Sequence, residues 1–368
     1  MKKKIFRNIE WGILACTILL IAIGLVALFS STQNSNYEEL KKQITWLMIS
    51  VPIMMIVILI DYNLLTKISL VFYGISLILL IAVLFTVPIN GACSWFVIGP
   101  FTFQPAEFAK IAVILLTAHV MVKIQERGAD EISRPWKLGL ICLTVLVPVL
   151  LIIKQPDYGT AIAFLVALIF MLFVAGIKKR YIVIALLLIV TLVPLAYFFI
   201  LPEHAKSRID VYLNPNLDPR GAGYNIIQSK LAIGAGQFLG MGLLKGNQTQ
   251  LGYLYPKTTD FIFAVIGEEM GFVVAGTVII LYIILITKSI YIAKTAKDNL
   301  GAYIAAGISG IFFFHMVENI GMTMGLLPIT GIPLPFVSYG GSSMLTNLIL
   351  IAILLNISGR RKKALFIE

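Results

Sequence analysis

Long, continuous apolar runs dominate the chain, and polar residues cluster in the stretches between them. A run of roughly 20 apolar residues can cross a bilayer as a helix, whereas barrel strands are shorter and alternate apolar with polar positions. The pattern therefore predicts about ten membrane-spanning helices and an all-α integral membrane protein. The predicted spans are residues 11–30, 45–62, 67–88, 105–122, 137–154, 158–176, 181–200, 261–287, 301–321 and 341–358.

A long polar segment, residues 201–260, separates spans seven and eight. Loops of this length are usually functional or disordered. Aromatic and aliphatic residues recur in this one, so we expect it to be ordered against the membrane as part of a single polytopic domain, 1–368. Four of its six basic residues either hold a phosphate group or are ordinary solvated charges; they are Arg208, Lys230, Lys245 and Lys257.

Composition supports this class of protein. Of 368 residues, 59% are apolar and only 13% are charged, with a mean hydropathy of +0.94. A typical soluble domain has about 45–50% apolar and about 25% charged residues. The first apolar run has no clear small-residue cleavage site, so we interpret it as a span rather than a signal peptide. The three cysteines are scattered and predict neither a disulfide framework nor a zinc site.

The net charge of +11 is distributed unevenly. Lys and Arg concentrate at both termini and after spans two, four, six and eight, whereas the short loops opposite hold Lys41, Lys42 and Lys154. Basic residues mark the cytoplasmic side of short loops, so both termini are predicted to be cytoplasmic and segment 201–260 to lie outside. The charge is interpreted as anchoring of loops at the membrane, and no nucleic-acid partner is predicted.

Asp260 is the most informative polar residue. It ends the long polar segment and immediately precedes span eight. A carboxylate at the edge of a membrane helix is costly unless it is paired or used. The orientation places it outside, where nucleotides are absent, and no nucleotide-binding glycine motif occurs in the chain. Chemistry at Asp260 would therefore need a substrate that is already activated.

Two further polar sites begin spans four and six. Glu107 and Lys110 are three residues apart on one helical face, so they are predicted to pair inside the apolar region. Whether this pair only fixes helix packing or also contacts substrate stays open. Asp157 precedes span six and is interpreted chiefly as a helix N-cap, with catalysis as the less favoured alternative.

Span eight carries adjacent acids, Glu268 and Glu269. Neighbouring helical positions diverge by about 100°, so the two are not expected to face one cavity equally. After span nine, prolines and glycines in 325–336 exclude a regular helix and predict a re-entrant or lipid-contacting loop. His315, within span nine, is predicted to be an interhelical hydrogen-bond partner rather than a metal ligand.

These motifs together resemble the SEDS family of cell-wall polymerases, which comprises RodA, FtsW and SpoVE. The matching strings are QPAEFAK (104–110), QPDYGT (155–160), DPRGAGYN (218–225) with QS (228–229), TTDFIF (258–263) with GEEMG (267–271), and GIPLPFVSYGGSS (331–343). The resemblance covers the whole chain. The string 218–224 and GNQTQL (246–251) are more similar to the elongation members, RodA, than to the division members.

The resemblance implies a peptidoglycan glycosyltransferase in the bacterial cytoplasmic membrane. It would polymerise lipid II into β-1,4 glycan strands with inversion, using Asp260 as general base. Lys257 would favour the ionised form of Asp260 if the two lie close together. The other residues expected to bind substrate or shape the cavity are Glu107, Lys110, Asp157, Arg208, Gln228, Ser229, Lys257, Glu269, Ser338 and Ser343.

Cofactors and partners also follow from the resemblance. A divalent cation, Mg²⁺ or Mn²⁺, is an alternative to basic residues for neutralising the departing pyrophosphate, although the sequence shows no complete ligand set. The expected protein partner is a class B penicillin-binding protein, which would supply cross-linking. One departure concerns Cys93, which stands where the family commonly has a basic residue, so a phosphate contact there is not expected.

Two other functions are compatible with parts of the pattern. A lipid II flippase would account for the intramembrane charges and the broken segment after span nine, although the sequence shows no inverted repeat. A non-catalytic scaffold of a cell-wall synthase would leave the surroundings of Asp260 unexplained. Polymer synthesis by detergent-solubilised protein discriminates the enzyme from both alternatives.

Overall fold

The structure is a computed structural model that describes residues 8–88, 91–99, 101–199, 203–214, 217–218 and 221–361. Some positions used above lie outside these ranges. They are the basic residues of the two termini, Lys2, Lys3, Lys4, Arg7, Lys362 and Lys363, together with Pro219 and Arg220 of the family string 218–225.

Helices account for nearly all of the regular structure. We label them α1 (Trp11–Ser31), α2 (Glu38–Leu59), α3 (Tyr62–Lys67), α4 (Ser69–Ala82), α5 (Pro105–Gln125), α6 (Pro135–Ile153), α7 (Tyr158–Val174), α8 (Lys179–Phe199), α9 (Glu203–Leu213), α10 (Ala222–Ala235), α11 (Asn247–Gln250), α12 (Ile262–Thr295), α13 (Asn299–Thr323) and α14 (Gly341–Arg360). A short antiparallel hairpin, β1 (Phe96–Ile98) with β2 (Phe101–Phe103), precedes α5.

The all-α membrane fold is confirmed, because each predicted span overlaps one long helix. Within the described residues, six helices are long and apolar enough to cross a membrane: α1, α2, α6, α12, α13 and α14. Helix α12 continues to Thr295, eight residues beyond the predicted end at 287, whereas α4 is only 14 residues long and ends at Ala82, before the predicted end at 88. The small hairpin is the only strand structure among the described residues.

Local sequence explains where several helices begin. Proline occupies the first helical position of α5 and of α6, where its missing N–H costs nothing. Asp157 caps α7 by accepting a hydrogen bond from Thr160 N, and Asp298 caps α13 by accepting one from Gly301 N. These contacts satisfy backbone donors that the first turn leaves unpaired.

Helix α13 lies in the core and packs against α7 and α12. The contact with α7 is close because of small residues: a Cβ added at Gly310 would come 2.9 Å from Ala167 Cα. Small residues allow membrane helices to approach closely and gain van der Waals contact. On the other side of the bundle, α14 packs against α2, and its residues are almost all buried.

Helix α12 contains a sharp break at Gly271, whose φ is 72° and ψ is −174°. This conformation is accessible mainly to glycine. The break exposes the carbonyls of Glu268 and Glu269, which accept hydrogen bonds from Met241 N at 2.9 Å and Gly242 N at 3.0 Å. The segment after α10 therefore fits into the break and ties the outer loop to the membrane helix.

The segment between α13 and α14 is not helical, as the prolines predicted. Its second half is largely buried inside the protein, and Ile332, Leu334, Phe336 and Val337 are each at most 2% exposed. The expectation of a lipid-contacting loop is therefore wrong for these four positions. Irregular backbone at membrane depth is tolerated where protein surrounds it, which is the case here.

Candidate active site

Asp260 lies where the end of the outer loop meets the buried 330–340 segment. Three hydrogen bonds hold the backbone of Asp260 and the two residues before it: Ser338 Oγ donates to Thr259 O at 2.6 Å, Tyr339 N to Thr258 O at 2.9 Å, and Asn319 Nδ2 to Asp260 O at 3.0 Å. Each donor comes from a part of the chain remote from 258–260. The position of the carboxylate is therefore set by tertiary contacts rather than by its own loop.

The Asp260 carboxylate sits in a narrow, partly exposed site. A Cβ added at Gly331 would lie 3.4 Å from its Oδ2 atom, so the glycine leaves room for the acid. Burial raises the pKa of Asp260 to about 6, and Asp157 adds to that rise. The Thr259 hydroxyl and the Arg208 guanidinium act in the opposite direction and lower the pKa. An acid with this pKa can take up or release a proton near neutral pH.

Asp157 has two roles. It accepts a hydrogen bond from Thr160 N at 3.1 Å, which confirms the predicted N-cap, and one from Gln104 Nε2 at 3.0 Å. Burial raises the pKa of Asp157, whereas hydrogen bonds from Thr160 and the charge of Lys110 lower it. Since Asp157 also influences Asp260, the N-cap faces the same site and links it to α5.

The predicted Glu107–Lys110 pair is present and buried. Lys110 Nζ lies 2.9 Å from Glu107 Oε1 and 3.3 Å from His315 Nε2. An ammonium group can only donate, so Nε2 is the acceptor and His315 donates from Nδ1 to Pro333 O at 3.1 Å. His315 is therefore the interhelical partner that the sequence predicts, and it connects the ion pair to the 330–340 segment.

Arg208, rather than Lys257, is the basic residue whose charge acts on Asp260. The charge of Arg208 acts on Asp260, and its Nη1 atom donates to Ile329 O at 3.4 Å. Lys257 instead donates to Thr249 O at 2.8 Å and interacts with Glu269, which opposes the lowering of the Lys257 pKa by burial. Lys257 was expected to favour the ionised form of Asp260 only if the two lie close together, and the interactions of Lys257 are instead with Thr249 and Glu269.

Glu268 and Glu269 both bind the 246–250 turn, and their unequal exposure to one cavity stays a prediction. Glu268 accepts from Gln248 N at 2.7 Å and from Thr249 N at 3.0 Å, and Glu269 accepts from Gln250 Nε2 at 2.8 Å. The turn is folded so that it can reach both acids from one side. Glu269 therefore shapes the outer loop, and these contacts do not direct it toward Asp260.

The remaining candidates bear mainly on structure. Ser229 Oγ donates to Thr323 O at 2.7 Å and fastens α10 to the end of α13. Gln228, the residue before Ser229, is partly exposed. Ser338 positions Thr259, as described above, whereas Ser343 Oγ accepts a hydrogen bond from Asn347 Nδ2 at 3.0 Å within α14.

Sequence reasoning missed two polar residues of α13, one acid and one amide. Glu318 is 6% exposed and accepts a hydrogen bond from Thr330 Oγ1 at 2.8 Å. Asn319 binds the backbone of Asp260 directly. Their signal in the sequence is the spacing of His315, Glu318 and Asn319 at i, i+3 and i+4, which places three polar side chains on one face of an apolar helix.

The chain offers no complete protein site for a divalent cation in the part that the structure describes. No group of three or more His, Cys, Asp or Glu side chains is arranged to hold a metal ion there. A cation at this site would depend on Asp157 and Asp260 together with oxygen atoms of a bound phosphate, which is a common arrangement for Mg²⁺.

Comparisons with known proteins identify relatives along almost the whole chain. Residues 10–363 match the FtsW/RodA/SpoVE family model, described as "Cell cycle protein". Peptidoglycan glycosyltransferase MrdB of Escherichia coli K12 is 40% identical, with 79% of this chain and 77% of the relative covered. Peptidoglycan glycosyltransferase RodA of Treponema pallidum is 34% identical, with 96% and 98% covered.

Solved structures show the same fold. A chain from a structure described as "Structural coordination of polymerization and crosslinking by a peptidoglycan synthase complex" superposes with a TM-score of 0.82 at 29% identity, covering 95% of this chain and 97% of that one. The crystal structure of Thermus thermophilus RodA gives a TM-score of 0.72 at 27% identity, covering 96% and 98%.

Proposed function

The chain belongs to the FtsW/RodA/SpoVE family and is a peptidoglycan glycosyltransferase of the RodA type; we propose that it polymerises lipid II and uses Asp260 as the general base. The observation that carries this proposal is the Asp260 carboxylate itself. It is partly exposed, held in place by remote donors, and has a pKa of about 6. Strings 104–110, 155–160 and 331–343 all contribute residues around it.

The reaction needs little from the protein beyond positioning and proton transfer. The acceptor sugar 4-hydroxyl attacks C1 of the donor lipid II as Asp260 takes the hydroxyl proton. The new O4–C1 bond forms while the bond from C1 to the phosphate oxygen breaks. Undecaprenyl pyrophosphate leaves with that electron pair. A single displacement converts an α-linked donor into a β-1,4 linkage, so no covalent enzyme intermediate is required.

Arg208 is the basic residue best placed to stabilise the leaving group. Its charge reaches Asp260, and the residue is partly exposed. A guanidinium presents several N–H groups in a plane that matches phosphate oxygens. Arg208 would therefore neutralise the negative charge that develops on the pyrophosphate. A bound Mg²⁺ or Mn²⁺ would supply the same neutralisation of charge.

The distribution of charge in the sequence supports a bacterial cytoplasmic-membrane location with several spans and both termini in the cytoplasm. Asp260 then lies at the outer face, where flipped lipid II presents its sugars. The activated precursor carries its own leaving group, so the reaction needs no nucleotide at that surface. Membrane lipids surround the bundle in this arrangement.

We propose a class B penicillin-binding protein as the partner that cross-links the new strands. One similar chain comes from a structure described as a peptidoglycan synthase complex that coordinates polymerization and crosslinking. A membrane-embedded polymerase with a separate transpeptidase would place both activities at one site. Glycan synthesis by this chain with and without such a partner would measure how far the polymerase depends on it.

The general-base assignment is tested with purified protein in detergent and lipid II as substrate. We expect Asp260→Asn to lower the rate of glycan formation by roughly 10²–10⁴-fold, the usual contribution of a general base. Asp298→Asn is the matched control, because Asp298 is the N-cap of α13 and asparagine also caps helices well, so polymerisation per folded molecule should be unchanged. Polymerisation by Asp260→Asn at the wild-type rate would refute the assignment.

The same assay discriminates the enzyme from a flippase. The buried Glu107–Lys110–His315 cluster is a feature that a transporter could also have. A flippase in detergent has no second compartment and makes no polymer, whereas a polymerase produces a ladder of glycan strands on a gel.

A further inference from the structure

The final turns of α13 bind the segment that lies against Asp260. Three buried side chains on one face of this helix bind residues 330–333. The contacts are His315 Nδ1 with Pro333 O at 3.1 Å, Glu318 Oε1 with Thr330 Oγ1 at 2.8 Å, and Asn319 Nδ2 with Ile332 O at 2.8 Å. Gly331, in the middle of this segment, faces the Asp260 carboxylate. The helix thus fixes one wall of the site.

Asn319 differs from His315 and Glu318 because it binds both the 330–333 segment and the backbone of Asp260. Its Nδ2 atom donates to Ile332 O at 2.8 Å and to Asp260 O at 3.0 Å. An amide nitrogen carries two hydrogens, and both are used here. One side chain therefore joins the backbone of the acid to the backbone of the segment packed against it.

The oxygen atom of the Asn319 amide makes no comparable contact among the described residues. Asn319 is fully buried, and within the described part of the chain its Oδ1 atom has no hydrogen-bond partner. An unpaired buried acceptor costs about 1–3 kcal/mol, so the position is not optimal for stability. Asparagine donates two hydrogen bonds at this position, and an apolar residue of similar size could donate none.

We propose that Asn319 is a positioning residue for Asp260, which holds the carboxylate against the 330–333 segment by bridging the Asp260 and Ile332 carbonyls. This inference rests on the proposed function of Asp260. Asn319 touches backbone only and takes no part in proton transfer. Its effect on the reaction comes from the placement and the solvent access of the acid.

Loss of the bridge would leave two buried carbonyls without donors and let the two segments separate. Water would then reach the carboxylate and weaken the burial that raises its pKa. The charges that act on Asp260 directly would remain in place. The titratable groups on the surrounding elements are Arg208 on α9, Asp157 before α7, Glu107 and Lys110 on α5, His315 and Glu318 on α13, Lys257 in the preceding turn, and Tyr339 before α14.

The test compares Asn319→Leu and Asn319→Gln with Asn356→Leu. Asn356 is an excellent match, because it is a buried helical asparagine whose Nδ2 also binds backbone carbonyls, including Ile58 O at 2.7 Å. It lies near the end of α14, far along the helix from Gly341. Glycan synthesis from lipid II is measured with the full-length protein, alone and with its transpeptidase partner, over a range of pH and substrate concentration.

For Asn319→Leu we expect kcat to fall roughly 10–100-fold, the effect of misplacing a reacting group by about 1 Å. KM for lipid II should change little. The acid limb of the pH–rate profile should move to lower pH by about 0.5–1 unit, because a more solvated carboxylate has a lower pKa. Asn319→Gln keeps the donors and should recover part of kcat, while Asn356→Leu should reduce the melting temperature and leave the pH profile unchanged.

The inference fails if Asn319→Leu and Asn356→Leu lose stability alike and both keep the wild-type kcat and acid limb. Asp260→Asn is assayed in parallel to separate this outcome from failure of the proposed function. An inactive Asp260→Asn with an unaltered Asn319→Leu would overturn the positioning role alone. An active Asp260→Asn would overturn the general-base assignment on which it rests.

Discussion

Asp260 and Glu268 are carboxylates eight positions apart in one continuous stretch of chain, but their surroundings differ. Glu268 is completely buried, and its oxygens accept from Gln248 N, Thr249 N and Thr249 Oγ1 at 2.6–3.0 Å. Asp260 is partly exposed, and no backbone N–H of the described residues donates to its carboxylate. Its backbone, rather than its side chain, is what the fold holds in place.

The difference separates a structural acid from a chemical one. Backbone donors around a carboxylate stabilise its charge and commit it to one set of contacts. A carboxylate with few donors in a confined site keeps a raised pKa and retains the capacity to accept a proton. Membership of a family motif does not distinguish the two acids, because both lie in strings that match the family.

The largest expected effect on stability comes from Glu268→Gln. The amide nitrogen of glutamine would face backbone N–H groups, and the charge-assisted bonds to the 246–250 turn would be lost. We expect the free energy of unfolding to fall by about 2–4 kcal/mol, as is usual when hydrogen bonds to a buried charge are removed. Thermal unfolding in detergent measures this change, and an unaltered melting temperature would show that Glu268 is not an anchor.

Asp260→Asn should change stability in the opposite direction. The pKa of Asp260 is about 6 in the folded protein against an ordinary value of 3.8, so the folded state favours the protonated acid and loses stability as pH rises through about 6. Removing the ionisable group should therefore stabilise the protein near pH 7.5 by about 1–3 kcal/mol, and have little effect near pH 4. A lower melting temperature near pH 7.5 would place Asp260 among the structural acids.

A smaller effect distinguishes Arg208 from Lys257. The charge of Arg208 lowers the pKa of Asp260, so Arg208→Gln should move the acid limb of the pH–rate profile upward by about 0.3–1 unit. Lys257 interacts with Glu269 and does not act on Asp260, so Lys257→Gln should leave the acid limb in place. Equal shifts for the two variants would contradict the arrangement of charges described above.

The membrane helices could be predicted well because their signal is local. Each apolar run is long enough to identify one helix by itself, and the Pro105 and Asp157 starts follow from capping preferences. The break at Gly271 could not be predicted in the same way. A glycine is common in membrane helices, and this one breaks α12 only because the segment after α10 supplies donors to the freed carbonyls.

Many residues of the site could be predicted from the sequence, but fewer of the contacts that they make could be predicted. The Glu107–Lys110 pair depends on helical spacing and was correct, whereas the partner of Lys257 depends on how a turn folds in three dimensions. Asn319 was missed for the same reason. Nothing local to α13 indicates that its amide would reach Asp260, which is 59 residues away in sequence.

The pH dependence of glycan synthesis tests the central claim most directly. Initial rates of lipid II polymerisation by purified wild-type protein, with substrate well below KM, report ionisation of the free enzyme. We predict that the rate rises with pH through a midpoint near 6, the pKa of Asp260, and that the residual rate of Asp260→Asn lacks this limb. A limb of the same midpoint in Asp260→Asn would show that another group is the base.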